Sequence, residues 1–305
     1  MSDLDRLLQR AAEWRYQPLA LATVISTWGS APRPRGSHML IAADGRFEGS
    51  VSGGCVEGEI LANAAEVIAT GGFRRLTYGV TDAAAWEVGL PCGGEIEVIV
   101  QPVSDGGFSP TLFERISLSR KAGETLTLVT DLDRGITTER ASDGAFLNIY
   151  KVPRRLLIIG AVQIGQSLAA LGRELGMVVT VIDPRARFLT EERFPGSKLD
   201  DRWPDDAVAA ARPDRATAVI TLSHDIKIDD PALAAALRSD AGYIAALGSR
   251  RSHAQRLERL ADRGFGQDDL ARIEGPAGID IGAIGPAEIA LSIAAGAVRA
   301  FSGKR

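Results

Sequence analysis

The sequence predicts an α/β protein in which a mixed α+β domain is followed by a Rossmann-like domain with a parallel, doubly wound sheet. From Leu156 onward, short apolar runs alternate with alanine-rich helical segments, a pattern typical of parallel βαβ units. Before Pro153 the pattern differs, with a hairpin signal and an alternating strand. A chain of 305 residues is also long enough for two domains. We therefore predict domains at residues 1–152 and 153–305.

Apolar spacing predicts the elements of the N-terminal domain in order. Helices are expected where apolar residues recur every three or four positions, and strands where they alternate or form short runs. The dipeptide Asp44-Gly45 favours a tight hairpin turn between two strands. Residues 104–120, with polar residues, glycine and proline at their start, receive no element. The predicted elements are a helix at 4–15, strands at 19–27, 38–41 and 47–51, a helix after Cys55 that ends at Gly71-Gly72, and strands at 95–100, 125–130 and 145–150.

The C-terminal domain begins with a nucleotide-fold signature. The apolar strand at 156–159 meets Gly160-Ala161-Val162-Gln163-Ile164-Gly165, which opens a helix, and Asp183 ends the next strand. Order and spacing match the Rossmann arrangement, and two further strands follow at 218–222 and 243–247. Gly160, Gly165 and Asp183 are thus candidate nucleotide ligands. Val162, however, replaces the glycine that lets the backbone approach a pyrophosphate, so NAD(P) is doubtful and Asp183 could instead only cap a strand.

Composition excludes several classes of function. The apolar fraction of 45% and charged fraction of 24% are those of an ordinary soluble globular protein. A net charge of −4 argues against general nucleic-acid binding. No apolar stretch approaches the about 20 residues needed to span a bilayer, and the acidic start does not fit a signal peptide. We expect a cytoplasmic protein with free thiols, and the cysteine and histidine spacing does not suggest a dedicated zinc site.

Both cysteines of the chain lie beside paired glycines. Ser52-Gly53-Gly54-Cys55 leads into a predicted helix, and Cys92 opens Cys92-Gly93-Gly94. Paired glycines let backbone N–H groups approach a bound group, and a helix N-terminus favours negative charge and thiolate formation. These segments are predicted to hold an anionic ligand that carries sulfur or metal, with Cys55 and Cys92 as reactive groups. The alternative is that each cysteine is a small buried apolar residue.

Two polar motifs in the C-terminal half also follow apolar strands. Gly248-Ser249-Arg250 could hold a phosphate at a helix start, or Ser249 could simply cap that helix beside exposed arginines. Ser223-His224-Asp225 is not a catalytic triad, because consecutive side chains at a strand end cannot form such a relay together. A ligand contact by His224 remains open, since ligands bind at the carboxyl ends of parallel strands.

Several long motifs together resemble the XdhC/CoxI family. In the first half they lie at residues 26–37, 50–58 and 86–94. In the second half they lie at residues 243–251, 275–282 and 286–290. The resemblance covers nearly the whole chain. One departure is Val162-Gln163, where the family usually has glycine and histidine, and it concerns nucleotide binding only.

The resemblance implies accessory work on molybdenum enzymes rather than turnover. A member of this family is expected to bind molybdenum cofactor, hold it during sulfuration by a cysteine desulfurase, and pass it to an apo molybdoenzyme of the xanthine dehydrogenase or aldehyde oxidoreductase type. In that role the thiolate of Cys55 would contact molybdenum or carry sulfur. Arg33 and Arg35 would clamp the pterin phosphate, the alternative being that they are solvated loop charges. Trp28 would stack on the pterin, or it is a core or interface aromatic residue. A homodimer would shield an unstable cofactor.

Two other functions stay open on the sequence alone. One is an NAD(P)-dependent oxidoreductase, in which the Rossmann domain supplies hydride chemistry. The other is a pure interaction protein that docks a desulfurase and retains its fold as scaffold. The first predicts nicotinamide nucleotide binding despite Val162, and the second predicts no effect of Cys55→Ala on cofactor retention.

Overall fold

A computed structural model describes residues 2–54, 56–79, 94–140 and 144–303. The chain divides into two compact units, one from Asp3 to Val152 and one from Pro153 onward. The first mixes helices with antiparallel sheets, and the second is built on a parallel six-stranded sheet. The predicted fold class is therefore confirmed. None of the helices in the described part of the chain is long and apolar enough to cross a membrane.

The described residues of the N-terminal unit form two antiparallel sheets with helices packed on them. Its elements are α1 (Asp3–Glu13), β1 (Leu19–Trp28), β2 (His38–Ala42), β3 (Phe47–Gly49), α2 (Glu57–Thr70), β4 (Arg74–Tyr78), β5 (Glu95–Pro102), α3 (Pro110–Ala122), β6 (Leu126–Asp131), β7 (Ile136–Thr138) and β8 (Phe146–Tyr150). The larger sheet has the strand order β3-β2-β1-β5-β4, and the smaller has the order β7-β6-β8.

The central strand β1 is apolar on both faces because helices cover both sides of the larger sheet. Ala22 and Val24 belong to one buried cluster with Ile60 of α2. Leu21, which points to the opposite face, packs in a second cluster with Phe113 of α3. The strand pairs antiparallel with β2 and β5, so its carboxyl end lies beside the start of β5.

Helix α3 lies largely within residues 104–120, to which the sequence analysis assigned no element. Pro110 stands in the first helical turn, where its missing N–H leaves no hydrogen bond unmade. Gly123 ends the helix in the left-handed conformation, with φ of 72°. Leu112 and Ile116 lie one turn apart and are buried. The polar residues that precede this helix made its short apolar pattern difficult to recognise in the sequence.

The C-terminal unit has the strand order β11-β10-β9-β12-β13-β14, which is the Rossmann order. Its elements are β9 (Arg155–Ile159), α4 (Gln163–Glu174), β10 (Val178–Ile182), a short 3₁₀ turn (Ala186–Phe188), β11 (Lys198–Asp200), α5 (Pro204–Ala211), β12 (Thr217–Thr221), α6 (Ile226–Leu237), β13 (Tyr243–Ala246), α7 (Arg250–Ala261), α8 (Gln267–Leu270), β14 (Ile273–Glu274) and α9 (Pro286–Phe301). Strands β10 and β11 lie on one side of β9, and β12 to β14 lie on the other, so the strand order reverses between β9 and β12. Rossmann proteins bind their ligands at this point of the sheet.

Candidate functional site

The end of β1 and the start of β5 bring two of the predicted motifs together. Trp28 is paired with Glu95 across the sheet. The preceding residue, Gly94, is buried under the turn that follows β1. A Cβ at Gly94 would lie 2.7 Å from the carbonyl oxygen of Ser30 and 3.0 Å from that of Trp28. Only glycine lets the two backbones approach this closely.

The third motif reaches the same region through the loop before β2. The Nε of Arg33 donates a hydrogen bond to the carbonyl oxygen of Ser50, at 3.3 Å. A Cβ at Gly53 would lie 3.7 Å from the Cβ of Pro32. The loop at 28–37 therefore contacts both the 50–54 loop and Gly94, and the three motifs of this unit meet in one place.

The predicted reactive groups themselves lie outside the described residues. Cys55, Cys92 and Gly93 belong to this set, so their predicted roles, including metal ligation by Cys55, stay predictions. In the part of the chain that the structure does describe, no group of three or more metal-binding side chains could hold a metal ion.

The 50–54 loop and Val56 are arranged around the carboxylate of Glu57, a residue that is only 8% exposed. One oxygen accepts from the Ser50 hydroxyl at 2.6 Å and from the Ser52 N–H at 3.0 Å. The other accepts from the Ser52 hydroxyl, from the Gly54 N–H at 2.9 Å and from the Val56 N–H at 3.2 Å. The Glu57 carboxylate thus occupies the anion-binding turn that the paired glycines were predicted to present to a bound ligand.

These bonds change the expected chemistry of the loop. Burial alone would raise the pKa of the Glu57 carboxyl, but the bonds from Ser50 and Ser52 outweigh it and lower the pKa to about 2. The carboxylate is therefore charged at neutral pH and holds its donors firmly. The Gly53 N–H donates to the Ser50 hydroxyl at 2.8 Å. The N–H groups of Ser52, Gly53 and Gly54 thus donate within the loop and to Glu57, and cofactor binding by these three residues stays a prediction.

Arg33 and Arg35 line a cavity of about 320 Å³ in the N-terminal unit. It lies between the start of α1, the loop before β2 and the end of β8, and Lys151 also lines it. Its polar wall is formed by His38 and its partners, which sequence reasoning missed. Trp28 is 73% exposed, so its ring is open to a stacking partner.

His38 is held neutral by burial, and its hydrogen bonds determine which ring nitrogen carries the proton. Its Nε2 lies 2.8 Å from the Tyr150 hydroxyl and 3.1 Å from Asn148 Nδ2, which can only donate. Nε2 is therefore the acceptor, and Nδ1 carries the proton that it donates to Thr23 Oγ1 at 2.8 Å. Burial lowers the pKa of His38 to about 4.

This lowered pKa makes stability depend on pH. Below the ordinary pKa of 6.5, His38 binds a proton in the unfolded chain but not in the folded one. Folding stability should therefore fall as the pH drops from 6.5 towards 4, by on the order of 2 kcal/mol from this residue. The free energy of unfolding, measured with urea between pH 7 and pH 4.5, should depend less on pH in His38→Gln than in the wild type. His224→Gln is the control, because His224 is exposed, and it should keep the wild-type pH dependence. Parallel profiles for His38→Gln and the wild type would contradict this assignment.

Close packing beside β9 and β12, where the strand order reverses, requires glycine at two predicted ligand positions. Gly160 has φ of +106°, and a Cβ there would lie 2.9 Å from the N atom of Ser223. A Cβ at Gly165 would lie 3.0 Å from the carbonyl oxygen of Gly160. Both glycines therefore have a structural reason, and nucleotide contacts by them stay predictions.

Asp183 is bound by groups of its own chain, and ribose binding by its carboxylate stays a prediction. It is completely buried and accepts from the Ala161 N–H at 2.8 Å. Arg185 donates to it from the backbone N–H at 3.0 Å, from Nε at 2.8 Å and from Nη2 at 2.7 Å. Burial by itself would raise the pKa of Asp183, but these bonds lower it.

The oxygens of Asp183 thus have as many donors as a carboxylate readily accepts. This residue fastens the glycine turn to Arg185 rather than facing a ligand. Together with the branched side chain of Val162, this arrangement does not fit a dinucleotide bound in the usual Rossmann manner.

The start of α7 adopts the capping arrangement that the sequence left as an alternative. The Ser249 hydroxyl accepts from the Ser252 N–H at 3.1 Å. Gly248 has φ of +144°, and a Cβ there would lie 2.6 Å from the Ser252 hydroxyl oxygen. Arg250 is exposed. Phosphate binding by this turn stays a prediction.

Comparison with known proteins agrees with this architecture of a cysteine-motif unit joined to a Rossmann unit. Residues 15–79 match the XdhC and CoxI family, and residues 156–296 match the XdhC Rossmann domain. The chain is 30% identical over 280 residues to the Molybdenum cofactor insertion chaperone PaoD of Escherichia coli (strain K12), covering 90% of this chain and 81% of that protein.

Two further comparisons extend over nearly the whole length. The chain is 25% identical over 325 residues to a probable xanthine dehydrogenase subunit of Bacillus subtilis (strain 168), covering 96% of this chain and 94% of that protein. A crystal structure of a xanthine dehydrogenase from Bacillus halodurans superposes with a TM-score of 0.84 at 26% identity, covering 100% of this chain and 97% of that one. The chain belongs to the XdhC and CoxI family.

Proposed function

We propose that this protein binds molybdenum cofactor in its N-terminal unit and delivers it to a molybdoenzyme as an insertion chaperone. The observation that carries the proposal is the meeting of three loops. The 28–37 loop contacts Gly94 on one side and the 50–54 loop on the other. In the sequence, Cys55 directly follows the 50–54 loop, and Cys92 precedes Gly94 by two residues. The name of the Escherichia coli relative, a molybdenum cofactor insertion chaperone, supports the same role.

The described side chains suit the parts of such a cargo. An aromatic ring that is 73% exposed, that of Trp28, offers a stacking surface to a pterin. Arg33 and Arg35 offer charged donors to its phosphate. Soft thiolates such as those of Cys55 and Cys92 suit the molybdenum and its sulfur ligands. Because Glu57 accepts from the N–H groups of Ser52, Gly54 and Val56, recognition of the anion falls to these arginines.

Several finer features belong to the same proposal. The recipient would be an apo molybdoenzyme of the xanthine dehydrogenase or aldehyde oxidoreductase type, in line with the name of the Bacillus subtilis relative. A cysteine desulfurase would sulfurate the cofactor while this protein holds it. The protein would act in the cytoplasm as a homodimer and as an accessory factor rather than a turnover enzyme.

Co-purification tests the proposal. The full chain is produced in a molybdenum-sufficient host, and molybdenum and pterin are assayed per mole of protein. We expect Cys55→Ala to lower pterin retention at least tenfold, with smaller losses for Cys92→Ala and Trp28→Ala. Trp203→Ala is the matched control, because Trp203 is also exposed, at 56%, but belongs to the C-terminal unit. Equal and negligible pterin in all variants and the wild type would overturn the proposal and leave only a docking role.

A further inference from the structure

Positive charge is concentrated at the 320 Å³ cavity of the N-terminal unit, which we name the Arg35–Lys151 cavity. Arg33, Arg35 and Lys151 line it, and among the described residues that line it Asp3 is the only carboxylate. The lining therefore has a net charge of +2 while the whole chain has a net charge of −4. Such a local excess favours an anion.

Two of the three cations keep their hydrogen-bond donors for a ligand. Arg33 uses only part of its donors within the protein, because its Nη2 donates to Asp3 at 2.5 Å and its Nε donates to the carbonyl oxygen of Ser50. The Arg35 guanidinium lies 4.7 Å from the ring centroid of Phe146, and neither it nor Lys151 donates to another of the described residues. A guanidinium stacked on a ring keeps its edge donors available for oxygen ligands.

The wall of the Arg35–Lys151 cavity is fixed and neutral. Gly36 has φ of +88°, and a Cβ there would lie 2.6 Å from Asn148 Oδ1, so the loop passes close to β8 only because this residue is glycine. Asn148 and Tyr150 donate to His38, whose imidazole is uncharged. The wall thus adds no negative charge, and it holds the loop that carries Arg35 against the strand that leads to Lys151.

We propose that the Arg35–Lys151 cavity binds a phosphate monoester. Such a group carries a charge of about −1.5 to −2 at pH 7, which matches the net charge of the lining. Arginine presents paired donors that fit its oxygens. The volume lies at the lower end of small-ligand pockets, about 300–1,000 Å³, so it can also take the atoms next to the phosphate. The inference rests on the proposed function in naming the pterin phosphate of the cargo as the natural ligand.

Calorimetric titration of the full chain with inorganic phosphate and with phenyl phosphate tests this inference, at constant ionic strength set with chloride. The double variant Arg35→Gln/Lys151→Gln should bind both at least tenfold more weakly than the wild type. Lys121→Gln/Arg134→Gln removes the same two charges from exposed positions of the same unit and should bind like the wild type. Dimethyl phosphate, a diester with a single charge, should bind at least tenfold more weakly than phenyl phosphate.

The possible outcomes separate this inference from the proposed function. No binding to the wild type, or equal binding to both double variants, overturns the cavity assignment even if pterin co-purifies with the chain. Phosphate binding that depends on Arg35 and Lys151 supports it, even if no pterin co-purifies and the chaperone role fails. Circular dichroism of both double variants shows whether each is folded before the titration.

Discussion

Replacing Glu57 with alanine is expected to cost the N-terminal unit about 4 kcal/mol of folding free energy. Five hydrogen bonds from described residues converge on this buried carboxylate, three of them from backbone N–H groups. Alanine would leave those donors without an acceptor in a site too enclosed for easy hydration, and bonds to a charged group contribute about 1.5–3 kcal/mol each. A loss of this size is at the upper end for a single substitution.

Glu57→Gln separates charge from shape. Glutamine has nearly the same volume, but its NH₂ group would face donors instead of accepting from them. We therefore expect a loss of about 3 kcal/mol, measured by urea unfolding of the full chain. Glu59→Gln is the matched control, because Glu59 stands in the same first helical turn but is exposed, and its effect should stay within about 0.5 kcal/mol.

The pH dependence of folding stability provides a second test of the role of Glu57. The folded pKa of about 2 lies below the model-compound value of 4.5, so Glu57 stabilises the fold fully above pH 4.5. This contribution should disappear as the pH falls from 4.5 to 2, and Glu57→Gln should lack that part of the acid transition. Equal stability of Glu57→Gln and Glu59→Gln at neutral pH, with identical acid profiles, would contradict the described role.

The parts of the fold that could be predicted are those in which burial repeats regularly along the chain. The apolar run of β1 and the Rossmann strands from Leu156 onward are long enough for a pattern to be recognised. Strands β4, β7, β11 and β14 were missed. Three of them have two or three residues, too few to show a period of two.

The candidate site shows the same limit in a different form. Motif composition identified the 28–37 loop, Gly94 and the serine-glycine loop, and the structure brings these three together. Sequence could not tell whether the glycine N–H groups face a ligand or a side chain. Glu57 did not stand out, because an acid in a first helical turn is already explained by the helix dipole.

Contacts between residues that are far apart in the sequence could not be predicted either. His38 and Tyr150 are 112 residues apart, and no spacing in the chain connects them. The partner of Asp183 was missed for a related reason, because the Rossmann pattern does not include the Arg185 that donates to its carboxylate. The spacing Asp-x-Arg at the end of the second strand was the one signal in the sequence that could have shown this.

Gly94→Ala is expected to have the second large effect, because it forces apart two of the loops that form the candidate site. The new Cβ would lie 2.7 Å from the Ser30 carbonyl oxygen and 3.0 Å from that of Trp28. Both contacts are with backbone atoms, which cannot rotate away as a side chain can, so the turn after β1 must shift. Overpacking of this kind costs about 1–3 kcal/mol. Because the shift moves Trp28 relative to the segment after Cys92, pterin retention should fall with stability.

Gly58→Ala is the control that separates a lost glycine from a forced displacement. Gly58 lies in the first turn of α2, and a Cβ there would meet nothing within 4 Å. Alanine favours a helix over glycine by up to about 1 kcal/mol, so this variant should be neutral or more stable. Urea unfolding and pterin content are measured for both variants. A Gly94→Ala protein that keeps both the stability and the pterin of Gly58→Ala would show that close approach of the two loops is not what forms the site.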